Sequence, residues 1–190
     1  MIIVVAYLLV LASVPLLGGS LTSLGRLRVR RVWTIALAMA LQVLIVNIVE
    51  RHISGFAAAA LHLSSYGLAL VFVASNRRLP GIAIIVAGGL ANLAAITANG
   101  GVMPASPSAM AAAGRATAAD TFQNSAAAAD AKLWYLGDVF AWPEPLPLAN
   151  VFSVGDVAIV VGAAVTAHSA GGSRPVRAIR RRRSELPVAG

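Results

Sequence analysis

Five apolar stretches, each close to the thickness of a bilayer in length, leave this chain of 190 residues few ways to fold. They run over about residues 2–17, 32–49, 55–74, 81–98 and 151–168. A membrane-crossing helix needs about 20 mostly apolar residues, or about 17 at the short end. Charged residues make up only 12% of the chain and hydrophobic ones 58%, with a mean hydropathy of +0.81. Soluble domains run nearer a quarter charged. The expected fold class is therefore an all-α integral membrane protein. A bundle of five transmembrane helices would occupy residues 1–170, with a long extracytoplasmic segment over about 99–150 and a basic cytoplasmic tail over 171–190. The first apolar stretch has no basic residue before Arg26 and no small-x-small cleavage site after it, so it reads as a retained helix and not as a removed signal.

Charge sorts between the connections. The segment before the second stretch carries Arg26, Arg28, Arg30 and Arg31, the one before the fourth carries Arg77 and Arg78, and the tail carries Arg174, Arg177, Arg180, Arg181, Arg182 and Arg183. The remaining connections hold Arg51, Arg115 and Lys132 against Glu50, Asp120, Asp130, Asp138 and Glu144. Basic residues concentrate on the cytoplasmic side of membrane proteins. Five spans with the amino terminus outside and the carboxyl terminus in the cytoplasm of a bacterial plasma membrane satisfy that bias. The formal net charge of +8 then records topology and attraction to anionic lipid. Nucleic acid is not expected as a partner, because the basic tail lacks interleaved aromatic residues.

The chain contains no cysteine, which removes disulfides, thiolate catalysis and thiolate metal sites. No metal-ligand spacing and no cofactor motif occurs, and none is expected to be bound. Between the fourth and fifth stretches, the alanine-rich run from Met110 to Ala129 suits short surface helices. Pro104, Pro107, Pro143, Pro145 and Pro147 punctuate it. Trp134, Tyr135 and Trp142 suit the membrane–water interface.

Few residues can carry chemistry. Asp156 lies just inside the last apolar stretch, where a carboxylate is costly and marks a candidate site. Its structural reading is a capping box, with Ser153 as N-cap and Asp156 as the third helical residue. Its functional reading pairs it with Asp138 as an acid and a base on one water, both on the outer side. Asn92 and Asn99 fall on one face of the fourth stretch, after Gly88 and Gly89, which permit close helix approach. Asn92 reads as interhelical glue or, with Asn99 and Ser153, as a ligand contact. Asn99 and Gly100 suit a helix end in left-handed conformation. His62 in the third stretch reads as an interior polar contact, and Gln42 and Asn47 in the second read as interhelical glue or interfacial residues. His168, at the inner end of the fifth stretch, suits a helix carboxyl terminus. Arg177, Arg180, Arg181, Arg182 and Arg183 are expected to contact anionic lipid.

Four segments, Asn76-Arg77-Arg78-Leu79-Pro80-Gly81, Ala98-Asn99-Gly100-Gly101-Val102-Met103-Pro104, Leu133-Trp134-Tyr135-Leu136-Gly137-Asp138 and Val151-Phe152-Ser153-Val154-Gly155-Asp156, together resemble a family of bacterial integral membrane proteins. That family is common in actinobacteria and is known only as a domain of unknown function. The resemblance implies a multi-span fold and no activity. Phe152-Ser153-Val154-Gly155-Asp156-Val157-Ala158-Ile159 is also similar to the last catalytic motif of signal peptidase II, Phe-Asn-x-Ala-Asp-x-x-Ile, whose aspartate would fall on Asp156. Ser153 and Gly155 depart from that motif. In the family's other motif, Gly-Asn-x-x-Asp-Arg, Asn92 matches the asparagine, but Ala95 stands where the second catalytic aspartate should be.

Two functions follow as expectations. The first is a structural, lipid-binding or partner-binding membrane protein, with the bilayer, anionic lipid and a membrane-protein partner as its associates. The alternative is an aspartate-dependent membrane hydrolase or peptidase at the outer face, using Asp138 and Asp156. A transporter is disfavoured by the absence of a repeat.

Overall fold

The computed structural model describes residues 2–44, 56–100, 102–115, 125–127 and 131–185. The chain forms two compact units, residues 27–79 and residues 1–26 with 80–190. Gln42, Asn47 and His62 lie outside the described side chains.

In the smaller unit, α3 (Val32–Leu44) packs against α4 (Phe56–Asn76). Small or short polar residues fill the contact, with Thr34, Ala38 and Ser65 buried. The Thr34 hydroxyl and backbone N–H both donate to the Arg31 carbonyl, which fixes the start of α3. Asn76 closes α4. Its amide nitrogen donates to Phe72 O in its own helix and to Arg30 O, both at 2.8 Å, while its oxygen accepts from Arg30 N at 2.8 Å. One carboxamide thus completes a helix end and clamps a loop 46 residues away in sequence.

The larger unit is built on α1 (Ile2–Leu16), α5 (Ile82–Ala98) and α7 (Val154–Gly171). A short α2 (Leu21–Leu24) follows α1, and α8 (Arg174–Glu185) follows α7. Gly172, at φ +62°, ends α7 in the left-handed conformation that glycine adopts without a steric penalty. Val14 of α1 is fully buried against Gly171, and Ser20 N donates to Gly171 O at 2.8 Å. The carboxyl-terminal ends of α1 and α7 therefore lie together, so these helices are parallel. Contacts between Gly81 and Gly162 and between Gly88 and Gly155 make α5 antiparallel to α7. His168 links the same end of the unit, lying 3.0 Å from the Ser13 hydroxyl and 3.1 Å from that of Ser173.

Between α5 and α7 the fold departs from an all-α expectation. β1 (Met103–Ala105) pairs in parallel with β2 (Ser125–Ala127), and β3 (Phe140–Trp142) pairs antiparallel with β4 (Asn150–Phe152). Of the run from Met110 to Ala129, where short surface helices are expected, the first residues lie in α6 (Pro107–Ala112), which has Ser106 as N-cap and proline at its first position, while residues 116–124 and 128–130 lie outside the described residues. Proline's fixed φ and missing N–H suit that position. Gly114, at φ +67°, follows its end, where a Cβ would strike the Glu144 carboxylate. Part of the alanine run is strand, because pairing with β1 satisfies backbone groups that intrinsic helix preference is too weak to redirect. Ala109, Ala113 and Val151 form a small core here with Met110 and Ala141. The rings of Phe140 and Phe152 stack across the β3–β4 pair at 5.5 Å.

Asn99 repeats the device seen at Asn76. Its amide nitrogen donates to Ala95 O and Lys132 O, both at 2.7 Å, and its oxygen accepts from Lys132 N at 2.9 Å. Of the expected left-handed pair, only Gly100 is left-handed (φ +67°), while Asn99 sits at φ −113°. Asn99→Ala is expected to cost about 1–2 kcal/mol, since a net hydrogen bond contributes about 1 kcal/mol and water replaces some of what is lost. The same variant should speed proteolysis around Lys132, which limited digestion would measure.

Among the described residues, one helix, Val154–Gly171, is long and apolar enough to cross a bilayer, and only 22% of it is buried. Val5–Leu16, Val32–Leu41 and Ile82–Ala98 are shorter apolar helices. The last apolar helix begins at Val154 and not at residue 151, because Asn150–Phe152 belongs to β4.

Candidate functional site

The α5–α7 contact is set by glycines at matched spacing. Gly81 and Gly88 on one side oppose Gly162 and Gly155 on the other, seven residues apart in each case. A Cβ on Gly88 would lie 2.5 Å from Gly155 O, and one on Gly162 would lie 2.8 Å from Gly81 O. The backbones thus approach closely, because no side chain stands between them. Gly89, expected to share this role, faces open space. The glycine spacing was available in the sequence, but only Gly88 and Gly89 stood out there, because they are adjacent.

One step beyond Gly88 and Gly155, the interface changes from backbone contact to polar contact. Ser153 is the N-cap of α7, and its hydroxyl accepts from Asp156 N at 3.0 Å. The Asp156 carboxylate reaches back to Ser153 N at 3.1 Å, completing the capping box expected from the spacing. Asn92 of α5 joins both residues. Its amide nitrogen donates to the other Asp156 oxygen at 2.9 Å, and its own oxygen accepts from the Ser153 hydroxyl at 2.8 Å. Ser153 is fully buried, whereas Asn92 and Asp156 are half-buried. Gly155 carries no side chain because Asn92 occupies the space a Cβ would need.

This arrangement satisfies each member. The helix dipole adds a favourable field for the Asp156 charge at the amino-terminal end of α7. Both carboxylate oxygens accept hydrogen bonds that hold two helices and one helix start in register.

Asp138 lies on the connection after the 3-10 turn Trp134–Leu136 and is only 6% exposed. Its backbone N–H donates to Pro104 O at 2.8 Å, and its carbonyl accepts from Ser106 N at 3.0 Å, which ties this segment to β1. A cavity of about 290 Å³ nearby is bounded by Pro104, Ser106, Trp134 and Val139, and neither Asp138 nor Asp156 lines it. The hydrogen bonds of the Asp156 carboxylate run to Asn92 and Ser153. Of the tail arginines, Arg177 donates to Gly18 O at 3.3 Å and is exposed, as are Arg181 and Arg182; the side chains of Arg180 and Arg183 lie outside the described set. Among the described residues, no group of three or more His, Asp or Glu side chains could hold a metal ion.

A mostly helical chain with small paired strands and a glycine-lined helix contact fastened by an Asn–Ser–Asp cluster is the class these features define. The profile of DUF5317, a family of unknown function, matches residues 26–167, and the chain belongs to that family. The match takes in α3 to α5, the β elements and most of α7, including all three residues of the polar cluster. No curated protein and no solved structure matches the chain.

Proposed function

We propose that this protein is an integral membrane protein with a structural and lipid-binding role, in which the Asn92–Ser153–Asp156 cluster fastens helices and does not carry out chemistry. The observation that carries the reading is the state of α7. It is predominantly apolar, with no polar stripe along one face, yet Val157, Val161 and Val165 are exposed and only 22% of the helix is buried. A helix that is hydrophobic all round is stable in the core of a large protein or in a membrane, and low burial favours the second. Its 18 residues span about 27 Å at about 1.5 Å each, near the thickness of a bilayer's hydrocarbon core. Leu8, Leu9 and Leu16 of α1 and Leu90 of α5 are also exposed, as lipid-facing residues would be.

The helix directions support the five-span arrangement. Within the larger unit, α1 and α7 are parallel and α5 opposes them, as spans one, five and four must be. The basic residues Arg174, Arg177, Arg181 and Arg182 lie at one end of these helices and the β elements follow α5 at the other. Exposed Trp134, Tyr135 and Trp142 belong to that second end and suit the outer interface. Arg177, Arg181 and Arg182 would face anionic lipid from the cytoplasm, each contributing about 1 kcal/mol near a charged surface.

The peptidase alternative gains nothing from the geometry. Asp156 is committed to a cap and to Asn92, and alanine stands at position 95, where the second aspartate of that motif would be. A replacement series tests the choice. Asp156→Asn and Asp138→Asn in the native host should leave any cellular phenotype of the protein intact once abundance is matched. Loss of the phenotype at normal abundance would overturn the structural reading.

A further inference from the structure

In the smaller unit a cavity of about 620 Å³ is walled by five guanidinium-bearing residues, Arg28, Arg30, Arg31, Arg77 and Arg78. Among the described residues no carboxylate lines it; the rest of the wall includes Val71, Ala74 and Leu79. Positive charge on a cytoplasmic loop needs only a count of bases, not a shaped site. Here two separate arginine runs are drawn together by structure. Asn76, 3% exposed and itself part of the wall, clamps the Arg30 backbone from both sides and lies directly before Arg77. Arg31 is held at φ +54°, a left-handed conformation rarely adopted by residues other than glycine, by the two bonds from Thr34. Like charges gathered in this way repel one another, and a bound anion would relieve that repulsion.

We propose that this cavity binds a phosphate-bearing anion, with the arginines grasping its oxygens and the apolar wall accommodating the group attached to the phosphate. Arginine presents a planar fork of donors matched to phosphate oxygens. Basic pockets at the cytoplasmic ends of membrane helices receive acidic headgroups, so an anionic phospholipid headgroup and a free phosphate compound are its two sources. The lipid source rests on the membrane reading above; the phosphate chemistry does not.

The test uses the full chain in neutral detergent, with calorimetry to measure saturable binding. Short-chain phosphatidylglycerol and inorganic pyrophosphate are the probes, and phosphatidylcholine of equal chain length is the zwitterionic control. Saturation by phosphatidylglycerol alone supports a lipid headgroup site; saturation by pyrophosphate supports a soluble phosphate compound, and stands even if the chain proves not to insert in a membrane. Arg30→Lys with Arg77→Lys keeps the charge, and with it any topology signal, but removes two forks; binding is expected to weaken at least tenfold. Arg31→Gly relieves the left-handed backbone, so it should weaken binding without lowering the melting temperature. Arg115→Gln with Lys132→Gln, two bases outside the cavity wall, should change affinity less than threefold. No saturation above the phosphatidylcholine control overturns the proposal. So does wild-type affinity in the lysine pair, or an equal loss in the Arg115 and Lys132 variant, because diffuse charge would then account for the binding.

Discussion

Gly155→Ala is expected to destabilise the folded chain by about 3 kcal/mol or more, while Gly89→Ala should stabilise it by up to about 1 kcal/mol. The first estimate combines overpacking, at about 1–3 kcal/mol, with loss of hydrogen bonds worth about 1 kcal/mol each. The new methyl group would meet the Asn92 carboxamide and lie 2.6 Å from Gly88 O, so α5 and α7 must separate. Separation also breaks the bonds from Asn92 to Asp156 and from Ser153 to Asn92. At Gly89 nothing lies within 4 Å, so alanine gains its helix preference of about 1 kcal/mol without a clash. Unfolding in a detergent titration, followed by circular dichroism, measures both. Equal effects at the two positions would mean that α5 and α7 do not meet through this face.

Asn92→Leu should cost about 2 kcal/mol, and the cost should be shared with Asp156. Leucine removes the donor to Asp156 and the acceptor for the Ser153 hydroxyl, leaving two polar groups short of partners at a helix contact. Unsatisfied groups of this kind cost about 1–3 kcal/mol, and interhelical hydrogen bonds in membranes fall at the lower end of such ranges. Asp156→Ala removes the same interhelical bond and also the back-bond to Ser153 N, so a similar loss is expected. The double variant should then fall short of the sum by about 1 kcal/mol, the signature of a shared interaction. Strict additivity would show that the two side chains act independently.

The positions of the long helices were legible because each is a continuous apolar run, and such runs report burial in lipid or core without help from tertiary contacts. α5 runs from Ile82 to Ala98, against an expected 81–98. α4 extends to Asn76, past an expected end at residue 74, because Asn76 completes the last turn with its own side chain. The start of α7 was legible twice, with conflicting results. Hydropathy alone pointed to Val151, whereas the Ser153 and Asp156 spacing pointed to a cap at Ser153, and the cap prevailed because Asn150–Phe152 pairs with β3. The strands were not legible. Each has three residues, too few for an alternating pattern, and they exist through partners up to 22 residues away. Asn92 was readable as glue from its place after Gly88, but its partners were not, since Ser153 and Asp156 are 61 and 64 residues distant in sequence. The arginine cavity was hidden for the same reason: its basic residues were counted as loop charge, and the packing of α3 on α4 with the Asn76 clamp on Arg30 brings them around one space.

The absence of native cysteine makes the central claim directly measurable, because a single introduced thiol is the only one in the chain. Val161→Cys puts a thiol on the exposed face of α7, Gly100→Cys at the end carrying the β elements, and Ala178→Cys in the basic α8. In intact cells a membrane-impermeant maleimide should label position 100. Position 178 should react only after the membrane is opened, and position 161 only after detergent extraction. Rapid labelling of position 161 in membranes without detergent would place α7 in water and contradict the membrane-embedded, helix-fastening account.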